Sequence, residues 1–304
     1  MNHRKLNNFL TRSFTLLGLG IVAISLTGCG RGAPRGPIAE GKAVAEIRSQ
    51  FMTAVQTGTG GGNTATAGTG WAKLSGVVKL AGDAPAEKPL DITKEQGVCA
   101  PGGAAVFART LVVDPATKAL SNVVIYARKA PRVHDSAKAI APDVAIFDQK
   151  GCLFTSRIVA VQVKQKVSLT NSDTIGHNIH FADNCASGSL NVSVQGGTAA
   201  PYSPTAQDSA PFAINCDIHP WMKAYMMARK DGYFSVTKAD GSFEIANLPA
   251  GEELEFQIWH ERMESPNADV GGVKIAKGRF KLKLAENEDK KLTVELPVAG
   301  LSAQ

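Results

Sequence analysis

The residues best suited to chemistry lie between positions 171 and 222. The run Cys216-Asp217-Ile218-His219-Pro220-Trp221-Met222 sets a thiol, an imidazole and a thioether at three-residue steps on one short loop. Soft sulfur combined with imidazole is what copper takes when it cycles between Cu(I) and Cu(II): a trigonal Cys/His2 plane with a weak axial Met. Such a plane needs a second histidine. The run Asn171-Ser172-Asp173-Thr174-Ile175-Gly176-His177-Asn178 offers His177 at the end of an alternating, strand-like segment. Two other readings compete. Cys216 could pair with Cys185 in a disulfide, leaving His219 and Met222 as loop residues. Zinc could use Cys216 and two histidines, but Met222 would then have no role, since zinc prefers imidazole, thiolate or carboxylate.

On these residues the stretch from about 152 to 230 resembles the cupredoxins, and in its short ligand loop the amicyanin type. The resemblance implies one type 1 copper held by His177, Cys216, His219 and Met222, with Asn178 tying the two ligand loops together. It also implies that the second histidine, His219, sits at the surface in an apolar patch where electrons enter. Trp221 would belong to that patch or close the core. The implied activity is electron transfer with a redox partner protein, a cytochrome or a dehydrogenase. Catalysis is not expected, because this ligand set leaves no open position for a substrate. The sequence also has no Gly-x-Ser-x-Gly elbow, phosphate loop or paired-carboxylate arrangement.

Other histidines and cysteines surround this pattern. His180 stands three residues after His177, so on a strand it faces the opposite side. His260-Glu261 begins like a zinc-protease motif, but Glu264 occupies the place of the second histidine. His180 and His260 remain candidates for a secondary metal position or for supporting contacts. With Cys29 assigned to lipid (below) and Cys216 to copper, Cys99, Cys152 and Cys185 remain. At most one pair can form among them, and Cys99 with Cys152 is the expected disulfide, leaving Cys185 free.

The elements that must position these residues read as β. Leu74–Leu80, Leu120–Ala127, Val159–Lys164, Val167–Thr170, Leu190–Val194 and Phe212–Cys216 are strand-like, with Pro, Gly, Asp and Asn between them. Many short strands with frequent turn signals predict a sandwich or barrel, and no long helical period follows residue 70. From Phe234 a further β unit begins. Asp240-Gly241 predicts a hairpin between Phe234–Val236 and Phe243–Ile245, and Leu248-Pro249-Ala250-Gly251 predicts a second turn. Strands at Leu254–Trp259, Phe280–Leu284 and Leu292–Leu296 follow. The stretch Asp240–Trp259 resembles carboxypeptidase regulatory-like, or transthyretin-like, domains, and Leu74–Leu80 resembles the opening strand of such a domain. The expected architecture is therefore all-β: a Greek-key cupredoxin-like sandwich over 71–233 joined to a small transthyretin-like β-sandwich over 234–298, with the likeness of Leu74–Leu80 to an opening strand leaving room for the two to intertwine.

The N-terminus predicts export. Arg4, Lys5 and Arg12 precede an uncharged apolar run, Phe14–Leu26, that is too short for a comfortable membrane span. Leu26-Thr27-Gly28-Cys29 resembles a bacterial lipobox, which implies a signal peptide over 1–28 and acylation of Cys29. The chain would then be anchored to membrane lipid, facing the periplasm or the cell exterior, with Gly30 pointing to the outer membrane in a Gram-negative source. The span 29–70 is a tether. Within it Val44, Ile47, Phe51 and Val55 predict a short amphipathic helix, and Thr57–Gly70 is an uncharged Gly/Thr/Ala-rich linker with a reach of about 20 Å. The leader takes three basic residues and no acidic ones with it, so the formal charge falls from +6 to +3. That bias is too small to argue for a nucleic acid partner. Two alternatives to electron transfer stand beside it: copper storage or delivery, and a structural or binding β-sandwich lipoprotein without metal.

Overall fold

The computed structural model describes residues 68–302, so the signal peptide, Cys29, the amphipathic helix and most of the linker lie outside the described residues. No described helix is long and apolar enough to cross a membrane. Apart from two four-residue helices, Gln96–Cys99 and Asp135–Lys138, and two short 3-10 turns, the described elements are strands. In chain order they begin with β1 (Trp71–Ala81), β2 (Val124–Lys129), β3 (Ala145–Gln149), β4 (Ile158–Gln162) and β5 (Val167–Asn171). Then come β6 (His177–Phe181), β7 (Asn191–Val194), β8 (Ala199–Tyr202), β9 (Phe212–Asn215), β10 (Lys223–Arg229) and β11 (Phe234–Val236). The last are β12 (Ser242–Pro249), β13 (Glu253–Trp259), β14 (Ala268–Val270), β15 (Val273–Ile275), β16 (Arg279–Lys283) and β17 (Asp289–Pro297). The described residues form an all-β fold.

Four of its sheets form two sandwiches in face-to-face contact. One sandwich packs β12-β1-β17 against β11-β2-β13-β16, enclosing Leu74, Leu80, Ile125, Phe256, Phe280 and Leu296. The other packs β4-β10-β9-β6-β7 against β3-β5-β8 around Phe147, Leu169, Ile179, Phe181, Phe212 and Ile214. A third core joins them: Val124, Tyr126 and Trp259 meet Ile158, Tyr225 and Met227. The centrally placed β10 is therefore buried on both faces. Its Ala224, Met226 and Ala228 enter the second core while Tyr225 and Met227 enter the joining core. This explains why Lys223–Arg229 shows no polar–apolar alternation. Met226 and Met227 are both fully buried, one in each core.

Strands β1 and β2 precede the expected boundary at residue 233, yet they hydrogen-bond to strands beyond it. β1 runs antiparallel to β12 and parallel to β17, and β2 pairs with β11 and β13. The expected hairpin at Asp240-Gly241 is a corner between sheets, since β11 pairs with β2 while β12 pairs with β1. Gly241 takes φ +72°, and a Cβ there would lie 2.5 Å from the Val78 carbonyl oxygen. Docking the corner onto β1 therefore requires glycine.

His260, directly after β13, is fully buried. Its Nδ1 accepts the Arg262 N–H at 3.2 Å, and its Nε2 has no hydrogen-bond partner. Burial, reinforced by the charges of Arg262 and Arg157, lowers its pKa from 6.5 to about 4. Below pH 6.5 the unfolded chain takes up a proton that the folded chain refuses. This contribution to stability therefore falls as pH drops from 6.5 to about 4, by about 3 kcal/mol. Urea midpoints at pH 7 and pH 5 should show a smaller acid loss in His260→Gln than in the parent; equal losses would refute this account.

Candidate metal centre

The site lies at one end of the second sandwich, where two loops meet. β5 ends at Asn171, whose buried side-chain amide donates to the carbonyls of Ile175 and Val194, both at 2.8 Å. Those bonds shape the loop that delivers His177 to the start of β6. The second loop leaves β9 after Asn215 and closes on itself. Cys216 N–H donates to the Met222 carbonyl at 3.2 Å and Met222 N–H to the His219 carbonyl at 2.9 Å. Asn178 joins the loops, its Oδ1 accepting the Asp217 N–H at 2.7 Å and facing Cys216 Sγ at 3.3 Å.

His177, Cys216 and His219 are all buried, and their donor atoms lie within 4.8 Å of one another. His177 Nδ1 is 2.9 Å from His219 Nδ1, which is 3.8 Å from Cys216 Sγ. Atoms each about 2.0–2.3 Å from one ion have separations of this order. Met222 is fully buried in the same core cluster as Cys216.

The hydrogen bonds on the far side of each ring decide what can sit between them. His177 Nε2 is 2.8 Å from Asp173 Oδ2, and His219 Nε2 is 2.9 Å from Glu95 Oε2. A carboxylate only accepts, so each ring proton resides on Nε2. Two Nδ1 lone pairs then face each other at 2.9 Å beside a sulfur, an arrangement that repels unless a cation lies between. A proton on His177 is a poor substitute: burial lowers its pKa even though its ring N–H donates to Asp173. The donor set fits a soft metal ion.

No known family profile matches the chain, and no curated protein is similar to it. Among solved structures it is similar to a copper-containing nitrite reductase from Thermus scotoductus SA-01, at 20% identity over 32% of this chain and 24% of that one, with a TM-score of 0.27. The similarity to a reduced Cu(I) amicyanin variant is 20% identity over 36% of this chain and 99% of that one, TM-score 0.26. For amicyanin from Paracoccus versutus the values are 13%, 36% and 99%, with the same TM-score. The match spans about a quarter of the nitrite reductase chain. At such TM-scores the likeness assigns neither fold nor function, and the residues themselves must carry both.

The remaining candidates sit around this cluster or away from it. Cys99 and Cys152 form a disulfide, and Cys185 and Cys216 are free and buried. The expected alternative pairing of Cys216 with Cys185 is therefore not made. His180 turns outward, as its spacing implies, and pairs with Asp217 at 2.9 Å. His260 contacts Arg262 and is in none of the described His/Cys/carboxylate clusters. A secondary site built from His180 and His260 is not assembled among the described residues.

One expectation is corrected. His219 is not at the surface; its side chain is 0% exposed. The segment carrying Glu95 covers it, held by the disulfide four residues later and by Lys94 Nζ donating to the Ile218 carbonyl at 2.9 Å. Trp221 is half-buried, its ring 5.2 Å from His219 and its N–H donating to the Cys152 carbonyl at 3.1 Å. The sequence alone does not single out Glu95 or Asp173. Asp173 lies four residues before His177, a spacing visible in the sequence. Glu95 lies 124 residues from its partner, and only the disulfide hints that the two are neighbours.

Proposed function

We propose that this chain is a membrane-tethered copper protein that transfers electrons through a single type 1 site. The carrying observation is the convergence of His177 Nδ1, His219 Nδ1 and Cys216 Sγ while both Nε2 atoms are engaged elsewhere. Copper bound there would supply one-electron exchange between Cu(I) and Cu(II). His177, His219 and Cys216 would hold it, with the Met222 thioether as a further, weaker donor. Asn178 keeps the two loops in register, and the surrounding core excludes water. Acylation of Cys29 would tether the protein to lipid, facing the periplasm or cell exterior, within reach of a cytochrome or dehydrogenase partner.

The experiment is addition of one equivalent of Cu(II) to the purified full chain, followed by visible absorption and EPR. An intense thiolate-to-copper band with narrow copper hyperfine splitting is the expected result. A colourless protein with tetragonal copper signals, or no binding, would sink the type 1 reading. Reversible reduction with the metal retained separates electron transfer from storage or delivery, which calls for ready release.

A further inference from the structure

Both imidazoles of the proposed centre are backed by an acid. Asp173 is itself fixed, accepting backbone N–H groups from Gly151 at 2.6 Å and Cys152 at 2.8 Å besides His177. Glu95 comes from a separate segment and reaches His219 from the outside, its side chain 43% exposed while the ring it meets is 0% exposed. Its backbone takes φ 41°, ψ 42°, a left-handed conformation that non-glycine residues rarely adopt. Three contacts hold it there: the Glu95–His219 bond itself, Lys94 on Ile218, and the Cys99–Cys152 disulfide, whose sulfurs lie within 4.8 Å of a His219 ring nitrogen. A strained residue clamped on both sides with its carboxylate on a buried ring is a built contact.

We infer that Glu95 and Asp173 are positioning residues for the metal centre: they turn the Nδ1 of His219 and His177 toward Cys216 and bias bound copper toward Cu(II). The inference rests on the copper reading for its second half and on the geometry alone for its first. Hydrogen bonding at one ring nitrogen fixes which nitrogen can bind a metal, and a carboxylate there makes the imidazole a better donor. Two nearby negative charges beside a thiolate favour the dication over the monocation. Asp173, being buried, contributes more than the partly screened Glu95. It also supports the loop at Gly151–Cys152, so Glu95 is the safer residue to change.

The test uses the full chain as parent, Glu95→Gln and Glu95→Ala. In the metal-free proteins, ring 15N NMR should show His219 protonated at Nε2 in the parent and in Glu95→Gln, whose amide oxygen still accepts. In Glu95→Ala the two tautomers should mix. In the copper-loaded proteins, Glu95→Gln should keep the thiolate band but lower the Cu(II)-to-Cu(I) affinity ratio about tenfold, a potential rise of about 59 mV. Glu95→Ala should also broaden the EPR hyperfine pattern. An unchanged His219 tautomer in Glu95→Ala overturns the positioning role. A potential unchanged in Glu95→Gln overturns the bias toward Cu(II). A parent that takes up no copper defeats the copper reading and the bias together, while the tautomer measurement still decides the positioning role.

Discussion

Cys216→Ser should abolish the thiolate-to-copper band entirely and weaken copper binding by more than the about 10–100-fold typical of changes outside the ligand set. The sulfur is the one soft anion in the cluster. His177 and His219 offer neutral nitrogen, and Met222 could offer only a weak thioether. Serine keeps the volume of the side chain nearly unchanged and can still donate to Asn178 Oδ1, which faces Sγ at 3.3 Å. The loop bonds from Cys216 N–H to the Met222 carbonyl and from Met222 N–H to the His219 carbonyl are backbone and should survive. The variant should therefore fold, with unchanged far-ultraviolet circular dichroism, and bind any residual copper through the two histidines with a tetragonal EPR signal. A retained intense band in Cys216→Ser would move the thiolate role to another residue, with Cys185 the free alternative.

How far this site could be read in advance depends on where its parts lie along the chain. His177, Cys216 and His219 announce themselves because the donor types recur at short spacing, and the structure brings the three together. Strands β5, β7 and β9 were legible because each alternates with one face buried. β10 was harder to assign, for it is buried on both faces and carries no period-two signal. The path of β1 was only half visible. Its residues read as a strand, but pairing with β12 and β17 spans more than 160 positions, and no local signal specifies a partner that distant. Burial of His219 was invisible for a similar reason. A four-residue helix and one acidic side chain, far upstream, cover a ring that its own loop leaves uncovered.

Glu261→Ala should be strongly destabilising, lowering unfolding free energy by about 3–5 kcal/mol. Arg157 Nε donates to Glu261 Oε1 at 2.7 Å and Nη2 to Oε2 at 2.5 Å, with side chains 9% and 6% exposed. The third guanidinium branch donates to the Lys223 carbonyl at 2.5 Å, at the start of β10. The pair thus links the loop after β13 in one sandwich to β4 and β10 in the other, along the joining core. Burial raises the Glu261 pKa although Arg157 opposes it. A buried pair of this kind is no large net gain over an apolar filling, because two charges have lost their water. The damage comes from leaving one charge alone: in Glu261→Ala the Arg157 guanidinium stays buried with two of its three nitrogens, Nε and Nη2, left without a partner. Arg157→Met combined with Glu261→Leu should then recover most of the lost stability, which urea unfolding of the two single variants and the double variant will measure. A double variant no more stable than Glu261→Ala would mean that the pair itself, rather than the stranded charge, holds the sandwiches together.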